Sequence, residues 1–347
     1  MYRLTRRSFV IGGTSAAAVA ALSSCARGSS NSSDPSKKAN LKIMVGGLSK
    51  QIYLPNMLSK QLGYFDEQNL NVELIDEAAG QSAEQEVLTG NADAASGSYD
   101  HVIDVAGLGK SLINVIQFGL APGGTEMVSA KKASEIKSPA DWKGKNFGIT
   151  SLGSGSHLLS QYLAGRNGVK PSEVNWIPAG AGATLIAAFQ QGKVDVAWTT
   201  EPTISQLLKT GDAKIQVDLR TPEAARGPMG GDYPFISLFM KSDYMEKNKA
   251  VVQRLVNAYV KTLKWINTHS AEEITDKMPP DYYAADKAAY ISALKDGKAM
   301  FSPDGKMPKG GPEFVLNVQQ QFNENVKDKK IDLSKTYTTE FADKATG

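Results

Sequence analysis

The stretch Gly192-Lys-Val-Asp195-Val-Ala-Trp198-Thr-Thr-Glu201-Pro202 decides the fold. It follows an amphipathic run, Thr184–Gln191, which Gly192 closes as a left-handed helix end. Val194–Trp198 reads as a strand and Thr199–Pro202 as its polar exit. Such an exit delivers side chains to the carboxyl edge of a sheet, where open α/β folds hold ligands. The stretch has an echo: Gly90-Asn-Ala-Asp93-Ala-Ala95 aligns with Gly192-Lys-Val-Asp195-Val-Ala197 at an offset of 102.

The order of elements around the two copies is the same. In the first, strand Leu41–Val45, loop Gly46–Lys50, helix Tyr53–Leu62 and strand Leu70–Ile75 lead to turn Ala78–Gly80. Helix Ser82–Thr89 and strand Ala92–Ser96 follow, with exit Gly97–Asp100. In the second, strand Asn146–Thr150, loop Ser151–Gly155, helix His157–Arg166 and strand Val174–Ile177 lead to turn Pro178–Gly180. Helix Ala183–Gln191 and strand Val194–Trp198 complete it. Two βαβαβ units predict an α/β protein of two parallel-sheet lobes whose strand ends face a cleft.

Val128–Lys145 leads into the second lobe, and Phe235–Met240 is the strand that returns to the first. From Asp243 onward the chain reads as helical. Val251, Val252, Leu255, Val256, Tyr259, Val260, Leu263 and Ile266 recur at helical spacing and form one apolar face. This region is expected to cover the first lobe.

Residues 1–25 read as a processing signal. Thr5-Arg6-Arg7-Ser8-Phe9-Val10-Ile11 follows the twin-arginine export pattern, and the apolar run Val10–Leu22 is too short to span a bilayer. Leu22-Ser23-Ser24-Cys25 has the form of a lipobox, which makes Cys25, the sole cysteine, the site of lipid attachment. Ala26–Asn40 is a Ser-, Gly- and Lys-rich tether. The expected organisation is a signal over 1–24, a tether over 25–40, a first lobe from 41–127 and 233–347, and a second lobe from 128–232.

The formal charge of +3 comes from Arg3, Arg6 and Arg7, since the other 36 basic residues match 36 acidic ones. A nucleic-acid partner is therefore not expected. His101, His157 and His269 show no metal-ligand spacing, and no cysteine pair exists, so no metal or other cofactor is expected. His101 and His157 follow strand exits, from which a side chain can point into a cleft, and read first as cap or surface residues rather than catalytic ones. Gly107-Leu-Gly109-Lys110-Ser111 ends like a phosphate loop but lacks its first glycine, having Asp104 there. Ser151–Ser156 lies between a strand and a helix, so its backbone N–H groups can hold an anion. Gly180–Gly182, Gly46-Gly47 and Gly97-Ser98 are its counterparts.

With these features the mature chain resembles the substrate-binding proteins of bacterial ABC importers for aliphatic sulfonates, nitrate, taurine and thiamine-type pyrimidines. The resemblance rests on Leu62-Gly63-Tyr64-Phe65, Leu70–Leu74, Leu88-Thr-Gly90-Asn-Ala-Asp93 and Asp141-Trp142-Lys-Gly144-Lys. It rests also on Gly192–Ala197, Glu201-Pro202 and the Asp332–Tyr337 tail. It implies a type II periplasmic-binding-protein fold and a monomeric, exported, lipid-anchored receptor. That receptor would deliver a small-molecule ligand to a permease with its ATPase. It implies no catalysis. A related pyrimidine-making enzyme relies on a cysteine-rich motif that this chain lacks.

The expected ligand is a small sulfonate-, nitrate-, taurine- or carboxylate-like anion. Its contacts are expected from Ser49, Gln51, Gly97, Ser98, Tyr99, Ser154, Gly155, Ser156, Trp198, Thr199, Thr200 and Glu201. Ser151–Ser156, Thr199 and Thr200 would hold its oxygens, while Trp198 and Tyr99 would pack its apolar part. Glu201 caps a turn, pairs with a ligand amine or faces away, so a heteroaromatic or amino-containing ligand stays open. Lys50 is the nearest cation and reads as solvated.

Overall fold

The computed structural model describes residues 37–346, so the signal, Cys25 and most of the tether lie outside the described residues. Ten strands form two sheets. The first contains β1 (Ala39–Val45), β2 (Leu70–Asp76), β3 (Ala94–Ser98), β4 (Leu112–Gln117) and β10 (Ile236–Lys241). The second contains β5 (Gly124–Ser129), β6 (Asn146–Ile149), β7 (Asn175–Pro178), β8 (Val196–Thr200) and β9 (Ala213–Leu219).

The strand orders are β2-β1-β3-β10-β4 and β7-β6-β8-β5-β9. They are one topology used twice. β1, β2 and β3 pair in parallel, as do β6, β7 and β8. The fourth strand of each sheet, β10 or β5, runs antiparallel to its neighbours. The lobes are therefore mixed sheets rather than purely parallel ones. The inserted strand in each is the one that has just crossed from the other lobe.

Three boundaries differ from the sequence reading. The strands that carry the repeat start two residues later, at Ala94 and Val196, because the preceding aspartates are already engaged. Asp93 and Asp195 each hold one residue of the neighbouring strand, Lys42 within β1 and Asn146 at the start of β6, through backbone and side chain together. Gly97, Ser98, Thr199 and Thr200 consequently lie in strands. The second sheet begins at Gly124 rather than Val128, because Gly124-Thr-Glu126 looks polar yet is buried as a central strand. The repeat also runs further than five elements. Helices Asp100–Gly107 and Thr203–Thr210 follow β3 and β8, and β4 and β9 come next.

Gly90 and Gly192 take left-handed conformations, φ 86° and 69°, and so end their helices as their sequence positions predict. The apolar face of helix Lys249–Thr268 is buried, and Tyr259 Oη donates to Asn56 Oδ1 at 2.9 Å to fix it on the first lobe. The C-terminal cover is not confined to that lobe. Helix Gly311–Phe322 packs on both Asp100–Gly107 and Gly155–Arg166. Its Phe314 and Phe322 meet Tyr162 of the second lobe edge-on, at ring separations of 6.4 and 6.2 Å. Among the described residues no helix is long and apolar enough to cross a membrane.

Candidate functional site

The carboxyl ends of β1, β3, β6 and β8 open on a common cleft between the lobes, where residues at or just after these ends form its floor. Its enclosed space is small, about 50 Å³, and it is partly open to solvent, so the two walls stand close together.

The second-lobe wall is made of small hydroxyls and one aromatic ring: Thr150, Ser154, Ser156, Thr199, Thr200 and Trp198. Ser154 caps helix Gly155–Arg166 and shares a 2.8 Å hydrogen bond with Ser156 Oγ. The helix N-terminus thus faces the cleft with its N–H groups and partial positive charge. Trp198 is 5% exposed and meets Phe235, from the returning crossing, at a ring separation of 6.3 Å.

Beneath Trp198 lies Glu126, its direct cross-strand neighbour on β5. Glu126 accepts a 2.8 Å hydrogen bond from Ser160, and its Oε2 has no hydrogen-bond partner among the described residues. Burial pushes its carboxyl up to about 8 against the effect of the Ser160 bond, so it is neutral at pH 7.

The first-lobe wall mirrors this arrangement. Ala79 and Gly80 bring the N-terminus of helix Gly80–Thr89 to the cleft, opposite that of Gly155–Arg166. Lys50 lies on this wall, and its ammonium donates to the Gly46 carbonyl at 2.8 Å. Burial lowers it to about 8, and the Asp76 carboxylate partly offsets this. Ile52, Tyr53, Ser98 and His101 complete the wall.

The lobes touch across the cleft. The Gln51 amide donates to the Glu201 carbonyl at 3.1 Å. A β-carbon on Gly155 would come within 2.5 Å of Ser98 Oγ, and one on Gly153 within 2.8 Å of Gln81 Nε2.

Of the twelve residues singled out in the sequence, the cleft brings together Ser98, Ser154, Gly155, Ser156, Trp198, Thr199 and Thr200. Five lie elsewhere. Tyr99 points to the C-terminal tail, sharing a 2.6 Å hydrogen bond with Thr336. Gln51 Nε2 donates to the Tyr290 carbonyl at 3.0 Å. Ser49 lines a separate hollow with Pro202, Lys209 and Tyr282. Gly97 is buried against Phe239. Glu201 turns away and accepts the Ser205 amide at 3.0 Å, capping helix Thr203–Thr210. Burial raises its carboxyl against that hydrogen bond, and the Glu201–Pro202 peptide is cis.

Two residues read otherwise in the sequence belong to the cleft: Lys50, expected in solvent, and His101, expected as a cap or surface residue. The loop at Gly46-Gly47 folds the lysine back onto its own carbonyl. His101 is the second residue of a helix that begins just beyond the strand exit, and this position was its only signal. His157 instead accepts the Gly153 amide at 3.1 Å and packs edge-on against Trp176.

The fold and its inter-lobe cleft are those of the periplasmic binding proteins. Residues 53–273 match the NMT1/THI5-like family, and the chain belongs to it. A solved protein from Bordetella bronchiseptica RB50 is 33% identical over 88% of this chain and 96% of its own, with a TM-score of 0.83. YtlA of Bacillus subtilis (strain 168) is 23% identical, covering 88% of this chain and 90% of its own. The alkanesulfonate-binding protein SsuA from Xanthomonas axonopodis pv. citri, solved bound to MOPS, shares the fold. Its TM-score is 0.66 at 16% identity, over 87% of this chain and 99% of its own.

Proposed function

We propose that the protein is the extracytoplasmic solute receptor of an ABC importer and captures a small organic or inorganic anion in the inter-lobe cleft. The observation that carries this reading is the presence of two helix N-termini, those of Gly80–Thr89 and Gly155–Arg166, on one cleft whose lining also holds Lys50. Backbone N–H groups and hydroxyls bind anionic oxygens without a large net charge, which suits reversible capture. Trp198 and Phe235 supply an apolar surface for the remainder of an organic ligand. A ligand that touches both walls favours the closed arrangement, and that closed form docks on the permease. SsuA, an alkanesulfonate-binding protein solved bound to MOPS, supports the same ligand class.

In this reading the receptor is a monomer tethered to the membrane by lipid on Cys25, and it does no chemistry on its ligand. A thermal-shift screen of sulfonates, taurine, nitrate, carboxylates and pyrimidines tests the ligand class. A true ligand at 100 times its Kd stabilises by about 2.7 kcal/mol. A response confined to pyrimidines or amines would replace the anion reading with a heteroaromatic or amino-containing one. Cys25→Ala is expected to release the protein from membranes, and continued retention would remove the lipid anchor.

A further inference from the structure

His101 is the one imidazole on the cleft wall, and its surroundings define how it meets a ligand. Its Nδ1 faces Glu84 Oε2 at 3.5 Å and Asp100 Oδ1 at 4.0 Å. Asp100 already accepts from Ser98 Oγ and, at 3.1 Å, from Tyr233 Oη. With two carboxyl groups on its side, Nδ1 is the nitrogen suited to bear the hydrogen. The other nitrogen, Nε2, lies beside Gly80, where an added β-carbon would approach it to 2.9 Å. Among the described residues Nε2 makes no hydrogen bond.

A neutral imidazole with its hydrogen on Nδ1 turns a lone pair toward the ligand. The doubly protonated form turns an N–H donor and a positive charge toward it. The same side chain thus repels an anion in one state and holds it in the other. The remaining groups around the ring are the Phe239 ring of β10 and, on the same wall of the cleft, Lys50. Asp104 and Lys110 act on Glu84 from further away. An incoming anion joins a wall that already carries the Asp100 and Glu84 carboxyl groups. A proton taken up at His101 adds a positive charge that faces the anion.

We propose that His101, positioned by Glu84 and Asp100, is a ligand-binding residue that couples anion capture to uptake of a proton. This rests on the reading of the cleft as an anion site. Burial of Glu84, whose carboxyl is pushed up to about 7, supplies a second group that shares the proton near neutrality.

The test is calorimetry with methanesulfonate, nitrate and acetate as probes, in buffers of differing ionisation enthalpy. For an anion that binds, affinity is expected to fall about tenfold from about pH 5.5 to 7.5, with net proton uptake. Lys50 loses its charge above that window. His101→Gln, which keeps a hydrogen-bonding amide, is expected to remove both the slope and the proton uptake. Nitrogen-15 NMR of the wild-type imidazole is expected to show the Nδ1–H form at high pH and a shift of Nε2 on anion addition, independently of how any variant folds. Binding without proton uptake, or an unmoved Nε2 resonance, overturns the coupling and leaves the anion receptor standing. Failure of all three anions to bind the wild type overturns both.

Discussion

Asp93 and Asp195 occupy the same place in the two lobes. Asp93 Oδ2 accepts the Lys42 amide at 2.8 Å, and Asp195 Oδ2 accepts the Asn146 amide at 2.9 Å. In both lobes the aspartate's own amide donates back to the same residue, at 3.0 and 2.8 Å. Each aspartate thus closes the end of a parallel ladder that has no further strand residue to offer. Asp195→Ala leaves the Asn146 amide without its acceptor and is expected to cost about 1–3 kcal/mol. Urea unfolding measures the loss. Since this end of the strand is opposite the cleft, ligand affinity should hold within about twofold.

Gly155→Ala tests the closeness of the lobes. The new methyl group meets Ser98 Oγ and Phe235, both from across the cleft. The second lobe itself gives it room, so the expected result is a wider cleft, seen as a larger radius of gyration by solution scattering. Ligand affinity should drop at least about tenfold, because one wall can no longer approach the other.

Trp198→Ala removes the largest apolar surface of the second-lobe wall and one of the two rings against Phe235, the other being Tyr233. Affinity for an organic anion is expected to fall more than about tenfold. Calorimetry reads it directly, and an unchanged affinity would take Trp198 out of the site.

Glu126 sets a pH dependence of stability. Its carboxyl is raised from 4.5 in the unfolded chain to about 8 in the fold. Its contribution is therefore complete below about pH 4.5 and is lost as pH rises through about 8. Wild-type stability should decline by more than about 1 kcal/mol from about pH 6 to pH 9, whereas Glu126→Gln should flatten that decline. Urea midpoints at the two pH values distinguish these outcomes.

His157 acts in the opposite direction. Burial lowers its imidazole from 6.5 to about 4. The contribution is present above pH 6.5 and is lost as pH falls through about 4, when protonation takes away the acceptor of the Gly153 amide. Amide exchange at Gly153 should accelerate on acidification, and His157→Asn should make it fast at neutral pH.

Much of the architecture was legible because the repeat is written in backbone requirements. Gly90 and Gly192 end helices, and Asp93 and Asp195 begin strands, so the aligned hexapeptides located both sheets. The antiparallel insertions were not legible, since Gly124-Thr-Glu126 and Ile236–Lys241 acquire their direction from the lobe they cross into. In the cleft, the hydroxyl and Trp198 wall followed from its place at a strand end. Tyr99 and Glu201 were misplaced because the chain leaves the strand at these residues: Tyr99 has helical backbone and bonds Thr336, and Glu201 caps the helix that follows. Lys50 and His101 are set by long-range folding of a glycine loop and by a helix whose start the polar exit concealed.

The swapped fourth strands have a consequence for how the chain is made. All five strands of the second sheet lie between Gly124 and Leu219, whereas the first sheet waits for Ile236–Lys241. Until that segment leaves the ribosome, β3 and β4 have no shared neighbour and their facing edges remain bare. The lobe built from the middle of the sequence is therefore complete before the one built from its two ends, reversing the usual N-terminal-first order. A nascent chain stalled between Leu219 and Ile236 would carry one finished lobe and one adhesive, half-built sheet.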